Sequence, residues 1–124
     1  MSTKQERMMS NIKAHGHKLI TAFGLPADTD PITLCKRLRR IETKLHRLTE
    51  DWCNGDIDES YYTTRGIHYI NQARALLNYS TSVIFLNGDP RGYALKTTED
   101  FADKHNLPCD WGGYGILAPD LTEN

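Results

Sequence analysis

The sequence predicts an α+β domain: an N-terminal three-helix layer packed on a small antiparallel β-sheet made of a hairpin and a C-terminal strand. Three observations carry this. Apolar residues recur at helical spacing through the first two thirds of the chain. The period then collapses into short, continuously apolar runs near residues 82–87, 93–97 and 114–118. Glycine and proline punctuate the joins between those runs.

The first helix is expected over about residues 3–23, with Met8, Ile12, Leu19 and Phe23 inward. Gly24 and Pro26 supply its stop, a left-handed cap followed by a residue that cannot continue. Gly16 in the middle weakens it. The second helix, over 31–53, has the fullest set of signals. Asp30 caps its free amides, and Pro31 fits the first helical position. Leu34, Leu38, Ile41, Leu45, Leu48 and Trp52 follow at spacings of 4, 3, 4, 3 and 4. At 3.6 residues per turn they occupy an arc of about 80°. The stripe faces a core, and it also suits a seam between two copies of the chain. A third helix is expected over about 58–78, with Tyr62, Tyr69, Ile70, Ala73, Leu76 and Leu77 inward and Gly66 interrupting.

The remaining elements are short. Residues 82–87 and 93–97 read as paired strands, about 98–105 as a short helix capped by Thr98, and 114–118 as a last strand closed by Pro119. All 124 residues form one domain, long enough to bury a core unaided. Hydrophobic content of 39% and charged content of 25% are those of a globular protein outside a membrane. The net charge of −1 excludes a global field pulling the chain onto DNA or an anionic bilayer, and sequence-specific DNA binding is not expected. Cys35, Cys53 and Cys109 are an odd, widely spaced set with no C-x-x-C pair, which argues against a zinc or disulfide framework. The polar start "MSTKQERMMSN" has no signal-peptide core.

Two surfaces stand out. On one flank of the second helix, Arg37, Arg40, Lys44 and Arg47 recur at spacings of 3, 4 and 3, opposed only by Asp51. The commoner reading of such a row is a solvated face. The sharper one is a surface for phosphates, RNA or an acidic protein.

The other surface is "FLNGDPRGYALKT" together with "DWGGYGILAP". Asp89, Pro90 and Gly92 satisfy a type I turn with a glycine bulge. That chemistry leaves Asn87, Gly88, Arg91, Tyr93 and Lys96 unexplained. Gly112, Gly113 and Gly115 alternate with Trp111 and Tyr114, a pattern of bare amides beside rings. A tight bend with Trp111 over the core edge explains the same residues. If the last strand pairs with the hairpin, these residues share one rim. Arg91 and Lys96 would meet phosphate, Tyr93, Trp111 and Tyr114 would stack, Gly112 and Gly113 would donate amides, and Asn87 and Asp89 complete the candidate set.

Those two segments, with "HRLTEDWCNGDI" upstream, resemble a group of small uncharacterised phage and prophage proteins, over roughly residues 34–119. The resemblance implies an accessory protein made in the cytoplasm of a bacterial host and directed against a host defence factor. It implies no catalytic residue.

No catalytic motif is present: G-x-S-x-G, P-loop, H-E-x-x-H and dinucleotide fingerprints are all missing. His15-Gly16-His17 is an H-x-H pair whose rings point apart on a helix, a poor metal site. Cys53, beside Trp52, reads as buried rather than nucleophilic. No cofactor or metal is expected. The sequence therefore favours a non-enzymatic binder of a nucleotide-like or phosphorylated ligand. The alternatives are a protein inhibitor that blocks a host defence complex in the manner of an anti-CRISPR, and a small enzyme acting on a nucleotide.

Overall fold

The structure is a computed structural model and describes residues 3–78, 83–85, 93–95, 103–106, 109–110 and 115–116. Three helices account for most of it: α1 (Lys4–Ala22), α2 (Pro31–Cys53) and α3 (Glu59–Leu76).

Each helix is delimited by side-chain chemistry. At the head of α1 the Glu6 amide donates to the Thr3 hydroxyl at 3.1 Å. Gly24, at φ 64°, ends it in the left-handed region. The Asp30 carboxylate takes the Ile32 amide at 3.3 Å and also the Thr33 hydroxyl, and Pro31 opens the helix behind it. Gly55, at φ 79°, terminates α2 just beyond Asn54. For α3 the cap is Asp58, which accepts from the Tyr61 amide at 2.7 Å. Each cap satisfies amides that the first helical turn leaves without partners.

The fold-class expectation is corrected here. The continuous stretch 3–78 is 79% helical and contains no strand. Its core is helix on helix. Helix α2 packs against both α1 and α3, and the facing pairs Ile12–Cys35, Gly16–Pro31, Thr49–Tyr62 and Lys44–Tyr69 make both neighbours antiparallel to it. Strand ladders occur only farther along. β1 (Val83–Phe85) pairs antiparallel with β2 (Tyr93–Leu95), and β3 (Cys109–Asp110) with β4 (Gly115–Ile116). Among the described residues these are two two-stranded ribbons rather than one sheet. The physical reason is that α2 is apolar enough to seat a helix on each side, so the helices bury one another. The last strand hydrogen-bonds β3, which the sequence did not mark, although β2 also lies beside β4. Residues 103–105 are helical; the rest of the short helix expected over 98–105 lies outside the described residues.

Among the described residues, two core clusters span the three helices. In the first, Ile12, Leu19, Ile20 and Phe23 of the α1 region meet Leu34, Cys35 and Leu38 of α2, with Leu77 closing it. In the second, Ile41 and Leu45 meet Ile70. Ala73 and Leu76 pack against both. Each such side chain contributes roughly 1.5–3 kcal/mol through removal from water. Farther along, the Thr49 hydroxyl donates to the Leu45 carbonyl at 2.9 Å and lies 3.0 Å from the Tyr62 hydroxyl. Tyr62 in turn stacks on Trp52, with ring centroids 4.4 Å apart. Cys53 contradicts its expected burial: it is exposed, and Trp52 rather than the thiol turns toward the core.

Candidate anion-binding cleft

The basic flank of α2 runs along the seam with α3. Because the two helices are antiparallel, Thr49 faces Tyr62, Lys44 faces Tyr69, and Ile41 faces the last turn of α3. At that last level the seam opens into a cleft of about 460 Å³. Ile41, Ala75 and Leu76 provide apolar lining; Arg37, Arg40 and Gln72 provide the polar groups. Small-molecule sites occupy roughly 300–1,000 Å³ and combine an apolar body with a few polar groups in this way.

One turn on, Tyr69 carries two cations. The Lys44 ammonium lies 5.9 Å from its ring centroid and the Arg65 guanidinium 5.3 Å. The negative face of the ring holds such groups in place, at about 0.5–1 kcal/mol each in an exposed setting. Among the described residues, none of Arg37, Arg40, Lys44 and Arg47 is ion-paired to a carboxylate. Carboxylates elsewhere on α2 take other partners. Arg39 donates to Glu42 at 3.0 Å, and His46 lies 3.1 Å from Glu50.

The α2 flank is thus the part of the sequence-predicted site that the structure positions. Tyr93 falls in β2. Asn87, Asp89, Arg91, Lys96, Trp111, Gly112, Gly113 and Tyr114 lie outside the described residues. Sequence reasoning missed Arg65, Tyr69 and Gln72 as site residues. Their only signal was position: each lies on α3 at a level that meets the α2 flank once the antiparallel register is known.

Two further features complete the electrostatic picture. Burial, and secondarily the negative charge of Glu42, push the Cys35 thiol up to about 11, so it stays protonated. Its Sγ donates weakly to the Ile12 carbonyl at 3.7 Å. A second depression, of about 290 Å³, is lined by His17, Lys18, Thr21, Ala22 and His105. Among the described residues no three metal-ligating side chains cluster, and no helix is long and apolar enough to cross a membrane.

No family model, curated protein or solved structure matches the chain.

Proposed function

We propose that this is a non-enzymatic binding protein of phage origin that captures a nucleotide-like anion and thereby counters a host factor. The observation that supports it is the α2–α3 cleft, where Arg37 and Arg40 stand free of carboxylates beside Ile41 and Leu76. Guanidinium groups are matched to phosphate oxygens, and the apolar lining suits a base or sugar. Phage origin rests on the resemblance of the two glycine-bearing segments.

The test is a thermal-shift panel of linear and cyclic nucleotides. A ligand at a hundredfold excess over Kd stabilises the native state by about 2.7 kcal/mol. Arg37→Ala with Arg40→Ala is expected to remove the shift and leave the unliganded melting temperature nearly unchanged. Should Arg91→Ala alone remove it, the guest sits at the glycine-bearing segment and the cleft assignment fails. Loss of ligand mass on incubation would make the protein an enzyme.

A second reading, a protein inhibitor docking on a host defence complex, is favoured by the extent of the flank. The row continues to Arg47, which is exposed and lies beyond the cleft. Retained pulldown of a host complex without any nucleotide shift would select it.

A further inference from the structure

The cations of the α2–α3 seam fall into two groups, and their separation bears on which anion fits. Arg37 and Arg40 line the cleft at one level. Lys44 and Arg65, held on opposite helices by the ring of Tyr69, form the second group. Lys44 follows the two arginines by four and seven residues, so at 1.5 Å per residue the groups stand roughly 6–10 Å apart along α2. Gln72 lies between the levels of Tyr69 and Leu76 on α3 and contributes a side chain able to donate and accept.

A nucleoside monophosphate has one phosphate and satisfies one group only. Two phosphates separated by a sugar and carrying a base between them satisfy both. We propose that the seam binds the backbone of single-stranded nucleic acid, with one internucleotide phosphate at Arg37 and Arg40 and another at Lys44 and Arg65. This rests on the anion-capture reading and narrows it to a class of ligand.

Three physical points favour this occupant. The cations alternate with apolar and aromatic side chains, Ile41 and Leu76 at one level and Tyr69 at the other, as in single-strand grooves where bases lie on apolar surface and the backbone follows charge. The cations lie in the seam between α2 and α3 rather than on a helix that projects alone, as a helix reading a duplex major groove must, which suits a strand lying along the seam. The Tyr69 ring constrains two flexible side chains before the ligand arrives, which lowers the ordering cost of binding.

The experiment uses the full chain and fluorescein-labelled hexathymidylate, followed by anisotropy over a salt series, with thymidine triphosphate and a poly-glutamate peptide as unlabelled competitors. The expected result is saturable binding whose log K falls with log salt at about −0.7 per phosphate engaged, so a slope near −1.4 or steeper for two or more. Arg37→Gln with Arg40→Gln is expected to weaken binding at least tenfold and make the slope shallower. Tyr69→Leu, which keeps every cation but frees two of them, is expected to weaken binding several-fold with the slope unchanged. Far-ultraviolet circular dichroism checks that each variant folds. Competition by the triphosphate at concentrations as low as the hexamer overturns the single-strand proposal and leaves anion capture standing. Displacement by poly-glutamate alone overturns it in favour of an acidic protein partner. Absence of binding to both nucleotide forms overturns the proposal together with the reading beneath it.

Discussion

Gly16 and Pro31 are in such close contact that a methyl group on the glycine would lie 2.4 Å from the proline Cβ and 2.6 Å from its carbonyl oxygen. This is where α1 crosses the start of α2. In an unhindered helix, replacing glycine by alanine stabilises by about 0.8–1 kcal/mol. Here the clash involves backbone atoms that cannot swing aside, and overpacking of this sort costs about 1–3 kcal/mol, toward the upper end. Crowding therefore wins, and Gly16→Ala is expected to destabilise by about 1–2 kcal/mol net. Urea unfolding measures it; a higher midpoint for the variant would mean that the helices do not touch there.

The second prediction concerns the far end of α2. Tyr62→Phe deletes the hydroxyl beside Thr49, which keeps its bond to the Leu45 carbonyl. The expected loss is about 1 kcal/mol, that of one buried hydrogen bond. Tyr62→Ala also forfeits the stack on Trp52 and opens a cavity, for about 3–5 kcal/mol. Equal unfolding midpoints for the two variants would rule out this division between ring and hydroxyl.

Thiol chemistry offers a third. With Cys109 replaced by serine, one equivalent of a thiol reagent is expected to react promptly at pH 8, at the exposed Cys53, while the buried Cys35 reacts only on unfolding. The folded Cys35 thiol ionises near 11, against an ordinary value of 9.0. Its protonated form thus contributes stability that is complete below pH 9 and is lost as pH rises from 9 through 11. The stability gap between the parent chain and Cys35→Ala is expected to narrow across that window. A gap that stays constant to pH 10.5 would contradict it.

Acid tests the α2 cap. The Thr33 hydroxyl, followed by the amides of Ile32 and Thr33 and by Lys36, holds the Asp30 carboxyl below its ordinary 3.8 despite some desolvation. The ionised cap contributes stability that is complete above 3.8 and disappears as pH falls through the lower folded value. Asp30→Asn keeps the capping oxygen without the charge. Its deficit against the parent chain is expected at neutral pH and should vanish in acid; a deficit independent of pH would remove the charge from the explanation.

How much of this was legible beforehand varies with the range of the interaction. The start of α2 was written locally, in Asp30-Pro31, and its apolar row in the 4-3-4-3-4 spacing. Gly16 was misjudged as a weakness because its justification, Pro31, lies fifteen positions away and appears only on packing. The same holds for the site. Arg37, Arg40 and Lys44 could be read as one flank, but not the register that sets Tyr69 and Gln72 opposite them. The sheet was overestimated because short β-branched and aromatic runs carry no information about how large a layer they join. The helices had already found in each other the apolar cover that a sheet would have supplied.

Leu76 belongs to two structures at once. It lines the arginine cleft, and it packs against the cluster shared by α1 and α2 as well as the one shared by α2 and α3. A guest resting on it leans on a joint common to both halves of the protein. Occupancy is therefore expected to slow amide exchange around Leu34 and Leu45 together, although they belong to different clusters. The candidate cleft is in that sense an outer wall of the core, and a guest held there would be felt on both sides of α2.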